Sequence, residues 1–155
     1  MVQRIQSLYL FMTTILPLLF LKGSFLKFIN KAGNEILMKS NGIFQTNVDK
    51  EPLLIRQLLP VATIIILIPV VSFIAILIYK KRKIQMKIVM VVIILTIILI
   101  GLIFYYAFSA TDGFKAVLVP GFNMFVPLLV LIFGILAYSG IRKDENLVAS
   151  YDRLR

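Results

Sequence analysis

The sequence predicts an all-α membrane protein: an antiparallel four-transmembrane-helix bundle with a small β-hairpin in the first extracytoplasmic loop. Three observations predict it. The chain has 155 residues, 60% hydrophobic and only 15% charged, where a soluble domain carries about 25% charged residues. Its apolar residues gather into four segments, 5–21, 58–79, 88–108 and 117–138, and none contains Asp, Glu, Lys or Arg. A basic run, Lys80-Lys81-Arg82-Lys83, separates the second segment from the third. A helix needs roughly 20 apolar residues to cross a bilayer, and a tight basic turn between two such helices marks a loop retained in the cytoplasm.

The first segment follows a single basic residue, Arg4, with Gln3, Gln6 and Tyr9 suited to the headgroup layer. A cleaved signal peptide has a similar start. The residues Phe20-Leu21-Lys22-Gly23-Ser24 do not form a small-x-small cleavage site, so a retained span is expected. The second segment carries Pro60 near its start and Pro69 at its middle. An internal proline removes one backbone hydrogen bond and kinks the helix. Neighbouring helices make this tolerable in a membrane. The third is dense in isoleucine and valine and ends in Phe104, Tyr105 and Tyr106, an expected interfacial belt. The fourth contains Pro120, Gly121, Pro127 and Gly134, and a second kink is expected at Pro127.

Residues 22–57 form the sizeable loop. Glu35-Ile36-Leu37-Met38-Lys39 and Ile43-Phe44-Gln45-Thr46 alternate apolar and polar around Ser40-Asn41-Gly42. Asn-Gly between alternating runs is the strongest short hairpin signal. A further strand is expected near Ser24 to Ile29, the whole forming a small antiparallel sheet over the outer helix ends. The tail, 139–155, opens with Arg142 and Lys143. Leu147, Val148, Tyr151 and Leu154 then fall on one helical face. Both a docking helix and a plain extension of the fourth helix fit this pattern.

Charge sets the orientation. Of the 17 Lys and Arg residues, Arg4, five in the turn 80–87 and four in the tail share one side. Lys22, Lys27, Lys31, Lys39, Lys50, Arg56 and Lys115 are spread over the other. Short, dense loops dominate the positive-inside rule, so a bacterial inner-membrane protein with both termini cytoplasmic is expected. The net charge of +10 then reflects retention and anionic headgroups rather than nucleic acid.

Chemistry is sparse. Cysteine and histidine are both absent, which removes disulfide and thiol redox chemistry, including that of the quinone-linked disulfide-forming enzymes, and the usual ligands of zinc, haem and copper. No cofactor, metal site or catalytic set is expected. Asp49 and Glu51 lie beside Lys50 and Pro52 and read as a solvated loop. Ionisable groups inside a span usually flag transport or catalysis, and the spans have none. Their polar residues are Thr13, Thr14, Thr63, Ser72, Thr96 and Asn123. Hydroxyls of this kind bond mostly to helix backbone, whereas the Asn123 amide is expected to make an interhelix polar contact. Gly101, Gly121 and Gly134 are positions where helices could approach closely. The groups left to meet an anionic lipid or a partner are Lys80, Lys81, Arg82, Lys83, Lys87, Arg142 and Lys143.

Two stretches carry a family resemblance. The opening Met1-Val2-Gln3-Arg4-Ile5-Gln6-Ser7-Leu8-Tyr9-Leu10, and the ending Ile141-Arg142-Lys143-Asp144-Glu145 through Ser150-Tyr151-Asp152-Arg153-Leu154-Arg155, resemble a family of small bacterial inner-membrane proteins, domain of unknown function 4293. That family occurs mainly in Bacteroidota. The resemblance implies topology and lineage but no activity. Architecture alone is similar to claudin-type proteins, whose tryptophan and paired cysteines this chain lacks. The expected function is non-enzymatic: an accessory or scaffolding subunit that binds another membrane protein. The alternative is a small transporter or lipid-handling protein.

Overall fold

The computed structural model describes residues 2–30, 34–46, 53–114, 116–119 and 121–153. Apolar residues recurring through long uncharged stretches form four helices: α1 (Val2–Lys22), α2 (Leu59–Leu77), α3 (Arg82–Phe114) and α4 (Val126–Arg153). Within the described residues, three helical stretches, Leu59–Leu77, Arg82–Gly113 and Asn123–Val148, are long and apolar enough to cross a bilayer; Ile5–Leu21 is shorter. Each helix packs against two others in a ring, α1 between α2 and α4, and α3 between the same pair.

Among the described residues five strands lie at one end of this ring: β1 (Ser24–Asn30), β2 (Glu35–Lys39), β3 (Gly42–Thr46), β4 (Leu53–Gln57) and β5 (Ala116–Val119). They form one antiparallel sheet in the order β4-β3-β2-β1-β5. The fold is therefore mostly helical with a sheet, not all-α. The predicted hairpin is present as β2 and β3, with Lys39 opposite Gly42 and Ser40-Asn41 as the two loop residues. Gly42 opens β3 instead of turning the chain. A Cβ there would stand 2.6 Å from the Arg56 carbonyl oxygen on β4, so glycine is needed for close strand approach.

The sheet buries one face on the helix ends. Leu26 and Phe28 of β1, Ile36 and Met38 of β2, and Ile43 of β3 are buried, whereas Lys27, Glu35, Leu37 and Lys39 alternate outward. These buried side chains join Phe20, Val61, Ile65, Val92 and Val130 in a core that runs from the sheet into the helices. A bulge between Ser24 and Leu26 lets Phe25 turn inward as well, where it stacks on Phe20 at 5.5 Å. On the outer face Lys27 Nζ meets Glu35 Oε1 at 2.7 Å, a diagonal cross-strand pair. A smaller core, Leu10, Ala75, Val89, Ala137 and Ile141, fills the end of the ring away from the sheet.

β5 replaces the expected start of the fourth span. The segment 117–138 is not one helix: 117–119 is strand, Phe122–Phe125 is a 3-10 turn, and α4 begins at Val126. Short apolar runs look alike in strand and helix, and the β-branched Val117 and Val119 suit a strand. Pro127 consequently sits in the first turn of α4, directly after the 3-10 turn, where proline is tolerated, and not deep within a helix as expected. Pro69 does lie inside α2, and Pro17 lies inside α1. α3 is also longer than 88–108. Its 33 residues extend about 50 Å, and the basic turn contracts to 78–81.

Candidate functional site

The two ends of the helix ring are built differently. At the end away from the sheet, α2 closes through Ile78 N–H to Ile74 O, and the chain reverses within four residues. Arg82, Lys83 and Lys87 are therefore helical residues at the start of α3, not loop residues. Cations at a helix N-terminus oppose the macrodipole, and α4 offsets this. Arg82 Nη1 donates to the Asp144 carbonyl oxygen at 3.0 Å, and Lys83 Nζ lies 4.0 Å from Glu145 Oε1. Lys80 Nζ sits 6.0 Å from the centre of the Tyr79 ring. Together Lys80, Lys81, Arg82 and Lys83 line an open groove with Ile84, Glu145 and Val148.

The predicted cationic set is thus only partly brought together. Arg82 has a structural partner, and Glu145 places a carboxylate among the lysines. Lys87 is exposed along α3; Arg142 and Lys143 are exposed on α4 within one turn of Glu145. The tail continues α4 without a break through Arg153. Leu147 and Val148 are exposed on it, while Leu154 and Arg155 lie outside the described residues. Lys115, Lys31 and the Asp49–Glu51 pair also lie outside them.

This end also holds buried polar groups that hydropathy did not single out. Gln85 Nε2 donates to the Ala75 carbonyl oxygen at 3.1 Å, tying α3 to α2. Gln6, expected among the headgroups, is buried, and its Nε2 has no hydrogen-bond partner. Its side chain lies against α4 at Gly140, where a Cβ would stand 2.8 Å from Gln6 Cγ. Tyr9 is likewise drawn inward, stacked on Phe133 at 6.1 Å. Gly134 meets α3 at Ile93, whose Cγ1 would stand 3.3 Å from an added Cβ, whereas Gly101 and Gly121 face open space. The glycines at close helix approach are therefore Gly134 and Gly140.

The threonine hydroxyls at depth are absorbed by their own helices. Thr13 and Thr14 donate to Leu10 O, Thr63 to Leu59 O, and Thr96 to Val92 O. Ser72 Oγ is buried without a partner. Asn123 does not link two helices: it is exposed in the 3-10 turn, and Nδ2 donates to the Ser24 carbonyl oxygen at 2.9 Å. It fastens the entrance of α4 to β1. Among the described residues no group of three or more acidic side chains is placed to hold a metal ion.

At the sheet end a cavity of about 290 Å³ opens between α3, the start of α4 and the buried sheet face. Leu26, Phe28 and Leu118 form its floor; Ile103, Ala107 and Met124 form its sides. Among the described residues that line it Thr111 carries the one hydroxyl, which donates to Ala107 O at 3.0 Å. Sequence reasoning missed this cavity because β5 and the 3-10 turn, read as helix, create it. At the opposite edge of the sheet β4 is exposed along its whole length, with Arg56 placed 5.4 Å from the centre of the Tyr106 ring. Of the aromatic belt, Phe104 and Tyr105 are exposed, and Tyr106 is half-buried.

A family described as Domain of unknown function (DUF4293) matches residues 2–154. Neither the curated proteins nor the solved structures yield a match.

Proposed function

We propose that this chain, which belongs to the DUF4293 family, is a non-enzymatic inner-membrane protein acting as an accessory or scaffolding subunit of another membrane protein. All four helices cross the bilayer in this reading. The apolar stretch of α1 is short, but α1 packs along α2 and α4 and ends at the same sheet as they do. The density of cations at Lys80, Lys81, Arg82, Lys83 and Lys87 supports a cytoplasmic turn and cytoplasmic termini. The sheet would then face the extracytoplasmic side.

The observation that carries the accessory role is β4. It is an edge strand, exposed on both faces, with Leu53, Leu54 and Ile55 at 63%, 48% and 41% exposure. An edge strand offers unpaired N–H and C=O groups to an added strand. A transporter would draw on a polar path through Thr63, Ser72, Thr96 and Asn123, and three of these are already bonded to nearby backbone. A photo-crosslinking residue at Leu54 in living cells tests the reading. A discrete adduct with one membrane protein is expected, lost when Leu53 and Ile55 become lysine. Adducts with lipid alone would sink it. A reporter fused after Arg155 that is active only outside the cytoplasm would overturn the orientation.

A further inference from the structure

We infer that the cavity between α3, the start of α4 and the sheet is a binding site for a single hydrocarbon chain, supplied by a lipid of the surrounding bilayer. The inference rests on α3 and α4 crossing a membrane and is independent of the accessory role. Among the described residues the chemistry of the lining disfavours polar ligands. Leu26, Phe28, Ile103, Ala107, Leu118 and Met124 present carbon and sulfur only, and the Thr111 hydroxyl is already committed to Ala107 O. A polar group entering would lose its water and find only the Thr111 oxygen, as an acceptor, in return. Water has the same difficulty, because a buried water needs two to four polar contacts. Hydrocarbon meets neither cost, and the volume of about 290 Å³ stands at the lower end of ligand-sized pockets.

The position of the opening identifies the source. Leu26 and Phe28 at the floor are buried, whereas Phe104 and Phe108 of α3 and Phe125 and Leu128 beside α4 are exposed around the rim. Those rim residues belong to the two membrane-length stretches Arg82–Gly113 and Asn123–Val148. What borders such a rim, which begins at the interfacial belt of Phe104, is the outer end of the acyl region of the bilayer. A chain lying in the cavity passes between two helices and touches the sheet, which annular lipid cannot reach. That contact separates a site from ordinary solvation by lipid.

The test uses full-length protein in phosphatidylethanolamine vesicles containing a phospholipid with a diazirine at the end of one chain. Retention after alkaline carbonate extraction first establishes membrane integration, so failure of that premise is seen separately. After irradiation, mass spectrometry is expected to find adducts on Leu118 or Met124 beside those on outward-facing Ile97 and Ile132. Adducts confined to Ile97, Ile132 and similar positions would overturn the site. Ala107→Phe places a ring in the cavity and is expected to abolish labelling of Leu118 while leaving that of Ile97. Unchanged Leu118 labelling in a folded Ala107→Phe protein also overturns it, and if that variant does not fold, the wild-type map decides alone. A diazirine free fatty acid forms the second arm. Labelling of Leu118 by the phospholipid supports a bilayer lipid, whereas labelling only by the free acid overturns that source.

Discussion

Arg82 Nη1 donates to the main-chain oxygen of Asp144 at 3.0 Å, joining the first turn of α3 to the later part of α4 across 62 residues. Sequence places Arg82 in a retention signal, and the structure gives it a second task. Its charge stands at the unfavourable end of a helix dipole, and the carbonyl on α4 offsets that cost while fixing the two helices in register.

Arg82→Ala is expected to lower stability by about 1–2 kcal/mol, because a charge-assisted hydrogen bond is lost. Lys83→Ala is the matched control. Its ammonium is 4.0 Å from Glu145 and its side chain 83% exposed, so a change within about 0.5 kcal/mol of zero is expected. Unfolding of both variants in one detergent measures the difference. Equal effects would show that the Arg82 bond contributes nothing specific.

Gly42→Ala is expected to separate β4 from β3. The new methyl would meet the Arg56 carbonyl oxygen and Leu54 Cδ1, each at 2.6 Å, and overpacking against backbone costs about 1–3 kcal/mol. Hydrogen exchange of the Leu54 and Arg56 amides should quicken. Gly101→Ala, with nothing within 4 Å of the added methyl, should leave stability unchanged or raise it by up to about 1 kcal/mol.

Gly140 and Gln6 are expected to be energetically coupled. Gly140→Ala drives a methyl to 2.8 Å from Gln6 Cγ, and Gln6→Ala removes that obstacle along with an unpartnered buried Nε2. A double-mutant cycle should therefore give an interaction energy of about 0.5–3 kcal/mol, with the pair costing less than the sum. Strict additivity would mean that α1 and α4 do not meet at this point.

Asn123→Ala is expected to cost about 1 kcal/mol through loss of the bond to Ser24 O. Asn123→Asp should cost more, because a carboxylate oxygen would then face a carbonyl oxygen. Comparing the two in thermal unfolding separates loss of a bond from added repulsion, and Asp performing better than Ala would contradict the geometry.

Legibility in the sequence followed the range of the interactions involved. The bodies of long uncharged apolar runs report helices directly, since burial in hydrocarbon needs only composition and length, but their ends do not, as the strand at 117–119 shows. The hairpin was legible from the alternation of Ile36, Met38 and Ile43, because period-two burial is local. β4 and β5 were not, since Leu53-Leu54-Ile55 and Val117-Leu118-Val119 carry no alternation. Each becomes a strand by pairing with β3 or β1. The cationic residues were readable as a cluster, yet their division into structural and exposed members depended on the position of α4.

Residue type, spacing and the match over residues 2–154 settle the membrane-class composition, the apolar helices, the central hairpin and the family without reference to the fold. Packing settles the rest: 117–119 closes a five-stranded sheet, Gln6 lies buried against Gly140, Asn123 holds a strand rather than a helix, and an apolar cavity opens beside Ala107. Each depends on contact between segments far apart in the chain. Such contacts arise from mutual packing, which no local pattern of hydropathy records.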